Sequence, residues 1–270
     1  MVVCARPNAQ ITQDCIEHGL GYNRGVDGKI RENSMHEHIV KSFDQELQLL
    51  DKKIAQMGGL AERLLAQGFD ALERRDPKLA EAVVASDRAV DQLERELQEQ
   101  TILMIARRQP MADDLRHIMT VLKIAGDLER IGDLGKNIAK RALAVSGENH
   151  PKSLMTGLKH MTELAMGQLK DVLDAYAERD AEKALGVWRH DERIDAMFNS
   201  LFRELLTYMM EDPRNIGLCT HLLFGAKNIE RIGDHTTNIA ENVYYLVHGT
   251  ALADDRPKSD DTSSTLIRKE

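Results

Sequence analysis

Four prolines, Pro77, Pro110, Pro151 and Pro213, interrupt a helical pattern that otherwise runs from Met35 to about residue 250. Proline lacks a backbone N–H and clashes with the preceding turn, so in a helical chain it is confined to helix ends. Each of the four lies in a short polar break, and Arg179-Asp180 makes a fifth break without proline. Five breaks predict six helices, over 37–75, 78–108, 113–146, 152–178, 181–211 and 214–248. These helices are ~30 residues long, against a mean of ~11–12, which is the length of bundle helices. Apolar residues recur at helical spacing inside them, as in Ile118, Val121, Leu122, Ala125 and Leu128. Composition points the same way. Aromatic residues are only 4% of the chain, too few for a sheet sandwich with its frequent turns. With 18 Gly, 6 Pro and 3 Cys the chain is no collagen, low-complexity tract or disulfide scaffold.

The six helices read as two copies of three. Met57, Leu60-Ala61, Ala71, Arg75-Asp76, Ala80, Val83, Asp87 and Asp91 recur as Met161, Leu164-Ala165, Ala175, Arg179-Asp180, Ala184, Val187, Asp191 and Asp195, a constant shift of 104 positions. In the third helices Leu128-Glu129-Arg130-Ile131-Gly132-Asp133 and Asn137-Ile138-Ala139 recur as Ile229-Glu230-Arg231-Ile232-Gly233-Asp234 and Asn238-Ile239-Ala240, shifted by 101. The expected fold is therefore all-α, a tandem duplication of an antiparallel three-helix bundle, with repeats over 35–147 and 148–250. Residues 1–34 show no sustained helical period. They are expected to be a poorly ordered extension, or an upstream over-extension with translation starting at Met35. The polar tail over 251–270 is expected to be disordered.

Four acidic pairs stand at i, i+4: Asp87/Asp91, Glu129/Asp133, Asp191/Asp195 and Glu230/Asp234. Residues four apart share a helix face, and like charges there repel. With 44 acids in 270 residues, about seven such pairs arise by chance, and an isolated pair is a solvated face balanced by Arg and Lys. These four differ in falling at equivalent places in both repeats, on the second and third helices only. They also fall at matching heights. Asp87/Asp91 and Glu129/Asp133 are centred 21 residues before and after Pro110, and the second-repeat pairs 20 and 19 residues from Pro213. At 1.5 Å per residue each pair stands roughly 30 Å from its turn, level with its partner. An antiparallel hairpin then gathers four carboxylates in each repeat. Such a cluster needs neutralising, and oxygen donors suit Mg²⁺, Mn²⁺, Fe or, less often, Zn²⁺. Gly132 and Gly233 lie between the acids, a sign of close approach by another helix or by a cluster. Asn137 and Asn238 continue the face as weaker ligand candidates, and Arg130 and Arg231 are alternative partners for the acids.

Other residues carry less. His190 and His235 have no equivalents in the other repeat and read as surface or supporting groups; His117 and His221 read as ordinary. Cys4, Cys15 and Cys219 lack ligand spacing and read as thiols of a reducing compartment. There is no phosphate loop, no H-E-x-x-H and no Glu-x-x-His di-iron motif. The net charge of −8 disfavours a nucleic-acid binder. Without a run of about 20 apolar residues or a secretory signal, a cytoplasmic protein is expected.

Arg108-Gln109-Pro110-Met111-Ala112-Asp113-Asp114-Leu115-Arg116, then Leu122-Lys123-Ile124 and Asp127-Leu128-Glu129-Arg130-Ile131-Gly132-Asp133, with Asn228-Ile229-Glu230-Arg231-Ile232-Gly233-Asp234-His235 in the second copy, resembles the PhoU family over about 35–250. The resemblance implies an accessory protein of phosphate-specific transport that negatively regulates the phosphate starvation response. It implies two three-helix bundles, often dimeric, with iron or zinc clusters on E/D-x-x-x-D motifs, which fall here on the four acidic pairs. It implies the ATPase subunit of a phosphate ABC transporter and a phosphate-sensing histidine kinase as partners, with the membrane reached only through them. The preferred reading is a metal-binding regulatory adaptor and not an enzyme. The alternative is a carboxylate-bridged metalloenzyme, a hydrolase or oxidase, on a helical bundle; a weaker third is a purely structural bundle.

Overall fold

The computed structural model describes residues 27–147 and 152–252, with side chains over 42–147 and 154–252. The expectations for most of the N-terminal extension and for the tail lie outside these residues. The chain divides into two units, Met1–Ser42 and Phe43–Glu270, and the second holds the apolar core of both bundles.

Every described element is helical. The first bundle comprises α1 (Asp27–Arg74), α2 (Pro77–Ser86), α3 (Arg88–Arg108) and α4 (Ala112–Ala144). The second comprises α5 (Lys152–Glu178), α6 (Ala181–Arg189), α7 (Glu192–Glu211) and α8 (Ile216–His248), the last entered through a 3₁₀ turn at Pro213–Asn215. The duplicated all-helical architecture is as expected, with two differences. First, α1 begins at Asp27, well before residue 37. Second, each middle helix is interrupted. The 78–108 helix is α2 and α3, parted at Asp87; the 181–211 helix is α6 and α7, parted at His190-Asp191.

The interruption is a local tightening and not a corner. Asp87 keeps right-handed angles (φ −56°, ψ −34°), and its carbonyl accepts from Val90 N at 2.9 Å, an i→i+3 bond. In the second copy His190 and Asp191 accept from Arg193 N at 3.2 Å and Ile194 N at 3.1 Å in the same way. Such 3₁₀ steps inside a helix mark strain or function. Both sit where a buried aspartate is held by the third helix of its bundle.

The repeated Ala-x-x-x-Arg-Asp signature is a two-sided cap. Arg75 (φ 56°) and Arg179 (φ 53°) are left-handed, and the next N–H reaches back from Asp76 to Ala71 O (3.0 Å) and from Asp180 to Ala175 O (2.9 Å). This closes the preceding helix as a Schellman motif, with Arg where Gly is usual. The same aspartates then open the next helix. Asp76 accepts from Lys78 N and Leu79 N, and Asp180 from Lys183 N.

One continuous apolar core joins the bundles, with Leu65 and Leu72 of α1, Ile124 and Ile131 of α4, Leu158 of α5 and Ile232 of α8 all buried in it. Helices α4 and α8 pack on each other along their length, and α2/α3 and α6/α7 flank them. Gly132 and Gly233 do admit close neighbours: a Cβ would meet Leu64 Cδ1 at 3.4 Å and Val90 Cγ1 at 3.5 Å in the first case, and Ile194 Cδ1 at 3.0 Å in the second. A closer approach, backbone to backbone, lies between α1 and α4. A Cβ on Gly68 would lie 2.7 Å from Gly135 O, and one on Gly135 3.0 Å from the backbone of Leu64 and Leu65.

That crossing predicts a contrast. Gly135→Ala must push two helix backbones apart and should destabilise by about 1–3 kcal/mol. Gly126→Ala, on the same helix with nothing within 4 Å, should stabilise by up to ~1 kcal/mol. Urea denaturation midpoints of the two variants would check this; equal shifts would show that the crossing is not tight.

Candidate metal centre

In the first bundle the α2/α3 break sets Asp87, only 4% exposed, against the middle of α4. The Lys136 ammonium donates to both Asp87 Oδ2 and Asp133 Oδ1, tying the break to α4. Burial works against the charge on Lys136, but hydrogen bonds to Asp133 and Asp87 outweigh it and hold the ammonium above its ordinary range. Glu129 is half-buried, which raises its carboxyl. Asp133 raises it further, Arg130 opposes this, and Glu94 and Asp91 add to the rise. Arg130 Nε lies 3.5 Å from Glu129 Oε2, the pairing foreseen for it. Asp91 of α3 and Asp133 of α4 are thus near enough to Glu129 to raise its carboxyl, while Lys136 spans Asp87 and Asp133.

The second bundle repeats the arrangement with different partners. Asp191, Asp195 and Glu230 are all buried, at 2%, 4% and 5% exposure. Thr237 Oγ1 lies 3.0 Å from Asp191 Oδ1, the contact that Lys136 makes with Asp87, and 3.1 Å from Gly233 O. Lys227 Nζ donates to Glu230 Oε1 at 3.0 Å and sits 4.8 Å from the Phe198 ring centre. Glu230 Oε2 is buried with no hydrogen-bond partner. Burial raises the Glu230 carboxyl; Lys227 opposes this, and Asp234 and Asp195 reinforce it.

Among the described residues, no three His, Cys, Asp or Glu side chains already stand in a ligating arrangement. The donor chemistry suits a hard cation nonetheless. In the second bundle Glu230 keeps a buried carboxylate oxygen without a hydrogen-bond partner, and a cation there would satisfy it. In the first bundle an ammonium takes that role. The weaker candidates stand apart. Asn238 Nδ2 donates to Asp127 Oδ1 at 3.4 Å across the α4/α8 contact, where His235 Nδ1 also meets Asp127 Oδ1 at 3.0 Å. Asn137 is half-buried, and Arg231 is exposed. His190 is exposed, its Nδ1 2.5 Å from Gly186 O at the α6/α7 break.

A second polar centre escaped the sequence reading. Asp51 Oδ1 on α1 accepts from the Tyr176 hydroxyl of α5 at 2.5 Å and meets His117 Nε2 of α4 at 2.7 Å. Arg179 lies 3.1 Å from His117 Nδ1. A guanidinium can only donate, so Nδ1 accepts and Nε2–H donates to Asp51. His117 and Tyr176 are buried. These groups border a cavity of about 450 Å³, walled also by Ile54, Glu62 and Leu173. No local spacing links 51, 117 and 176; only the left-handed Arg179, which sends its side chain to His117, has a sequence trace, in the Arg-Asp turn.

The PhoU domain family matches residues 54–142 and 158–243, once on each bundle. The chain is 57% identical over 231 residues to the phosphate-specific transport system accessory protein PhoU homolog of Rhizobium meliloti (strain 1021), spanning 86% of this chain and 97% of that one. It is 51% identical over 226 residues to the homolog of the same description from Caulobacter vibrioides (strain NA1000 / CB15N), spanning 84% and 98%. The crystal structure of PhoU from Pseudomonas aeruginosa superposes with a TM-score of 0.75 at 39% identity, covering 77% of this chain and 100% of that one.

The Asp51 network has a pH signature. Burial alone would raise the Asp51 carboxyl, but hydrogen bonds from His117 and Tyr176, with the charge of Arg179 nearby, hold it below its ordinary value. A carboxyl depressed on folding adds stability above its unfolded pKa of ~3.9 and loses that contribution as pH falls through the lower native value. Asp51→Asn should therefore melt below the wild type near pH 7, with the gap closing towards about pH 2. Circular-dichroism melts across that range would read it. A gap of constant size would show that the carboxylate's charge plays no part.

Proposed function

The chain belongs to the PhoU family, and from that premise we propose that it is a phosphate-transport accessory protein that restrains uptake and represses the phosphate starvation response. On this reading it is a cytoplasmic homodimeric adaptor and not an enzyme. It binds the ATPase subunit of a phosphate ABC transporter and the sensing region of a histidine kinase, favouring the kinase-off state when phosphate is plentiful. It contacts the membrane only through these partners and takes no nucleic acid. The observation that carries the reading is the near full-length likeness to relatives named for phosphate-specific transport.

The surface supports an adaptor. The α3–α4 end of the first bundle exposes Ile102, Leu103, Met111, Leu115 and Met119, and the matching end of the second exposes Leu206, Met210 and Ile216. Met111 and Met210 are 80% and 84% exposed, and clustered apolar side chains of this kind mark protein contacts. Among the described residues no helix is long and apolar enough to cross a membrane. The four acidic pairs are the proposed seats of divalent or trivalent metal ions, iron or zinc by family likeness and magnesium or manganese by donor chemistry. A bound ion would cross-link the middle and third helices of its bundle and stiffen the partner-binding face.

Deleting the gene from its native cell should leave a phosphate-starvation reporter switched on in phosphate-rich medium, and the wild-type chain should restore repression. A Met111→Asp, Met210→Asp double variant with unchanged helix content should fail to restore it. Normal repression in the deletion strain would remove the regulatory reading. Phosphatase or oxidase turnover lost in an Asp91→Asn, Asp133→Asn variant would favour the enzyme instead.

A further inference from the structure

Helices α1 and α5 are pressed together at one residue and parted at the next. A Cβ on Gly58 would meet Leu173 Cδ1 of α5 at 2.7 Å, whereas one on Gly59 would meet nothing within 4 Å. Gly59 lines the cavity of about 450 Å³ beside the Asp51 network. The α1 wall of that cavity runs from Asp51 past Ala55 and Gly59 to Glu62, with Leu173 and Asp174 supplied by α5. Asp51 and Glu62 are 11 positions apart. That is about three helical turns, so the two carboxylates share a face of α1, roughly 16 Å apart along its axis. The cavity is therefore elongated, acidic at both ends and apolar or small between them.

The acids at the ends are incompletely met. Tyr176 and His117 both bond Oδ1 of Asp51, and among the described residues none bonds its Oδ2. Glu62 is half-buried, and among the described residues it takes no hydrogen bond or ion pair. Burial raises its carboxyl; Lys170 opposes this, Asp174 reinforces it and Arg63 opposes it. Asp174 has Lys183 at 3.5 Å, but that lysine also serves Glu178 at 3.4 Å. Two cations border the cavity. Arg179 is bonded to His117, and Lys52 is exposed. Among the described residues no three acids gather closely enough to hold a metal ion. Acids parted by an apolar stretch suit a cation whose own charges are parted by methylenes. An ammonium donates three N–H bonds to carboxylate oxygens, and the chain between takes the apolar wall.

We propose that this cavity binds a linear polyamine, one ammonium on Glu62 and Asp174, another on Asp51, and the methylene chain along Ala55, Gly59 and Leu173. This goes beyond the adaptor reading and rests on neither the regulatory role nor a metal ion, so the two fail separately.

The test is isothermal titration calorimetry of the full chain with spermidine, after chelator treatment and dialysis. The wild type should bind about one spermidine per chain in this cavity. Glu62→Gln keeps the shape, removes the charge and should weaken binding by about ten-fold or more. Gly59→Leu should abolish binding with every charge kept, because its side chain fills the cavity. Helix content by circular dichroism should not fall, since Leu is the better helix former. Glu99→Gln removes an equal charge from an exposed position on α3 and should leave binding unchanged. Should Gly59→Leu fail to fold, the contrast between Glu62→Gln and Glu99→Gln still decides. No spermidine on the wild type, or undiminished binding to a folded Gly59→Leu, would overturn the proposal. Equal weakening by Glu62→Gln and Glu99→Gln would overturn it too, as attraction by net charge alone. Hexanoate bound in place of spermidine would overturn the sign given to the ligand.

Discussion

A carboxylate taken out of water must be met by a donor or a cation, and this molecule places such a carboxylate at the same structural point twice. Asp87 and Asp191 are buried where the middle helix of each bundle steps into a 3₁₀ turn. The side chain that meets each comes from the third helix, Lys136 from α4 and Thr237 from α8. This fixes the height of α3 against α4 and of α7 against α8, and that height sets which acids face each other. It also accounts for the broken middle helices. A helix held at one buried residue by its neighbour adjusts its backbone there, and a residue of low helix propensity such as Asp is the place to do so.

How much of this was legible depended on whether the signal was local. Helix ends were, because proline and the Arg-Asp turn act on their own backbone. Pro77 and the Asp76 and Asp180 caps lie where the breaks were placed. The duplication was legible because the repeat compares the chain with itself. The level of the acidic pairs was read from rise per residue alone; Asp91 raises the Glu129 carboxyl and Asp195 that of Glu230, yet no three acids among the described residues stand as a ligand set. Asp87's ammonium partner was not legible. Lys136 is 49 residues from Asp87, and a lysine on a charged helix face reads as a solvated one until the fold buries it. The same holds for Asp51, His117 and Tyr176, brought together from three helices with no spacing to betray them. The glycines show the limit from another side. Gly132 and Gly233 drew notice by lying between acids, yet it is Gly68 and Gly135 that meet the backbone of another helix.

The two bundles are coupled through more than a shared core. Helices α4 and α8 each carry a carboxylate cluster and pack on each other. Asp127 of α4 is met there by His235 and Asn238 of α8, one residue and four residues beyond Asp234. At one end of α4, His117 joins α1 and α5 through Asp51, Tyr176 and Arg179. Polar networks of this kind specify a single packing, because their members are satisfied in one arrangement and not in its neighbours. A change in the charge of the second cluster therefore acts on a helix whose position is already tied to the other bundle.

Duplication makes two equal copies, and departures from equality show where the copies are asked to do different things. Ile131, Ile138 and Ala139 recur as Ile232, Ile239 and Ala240, whereas Leu134 and Gly135 become His235 and Thr236. Beside the carboxylates Lys136 stands against Thr237 and Gly126 against Lys227. A lysine is a counter-ion that cannot leave, so a cluster closed by it keeps one geometry at every ion concentration. In the second cluster Lys227 meets one oxygen of Glu230, and the other is buried without a hydrogen-bond partner.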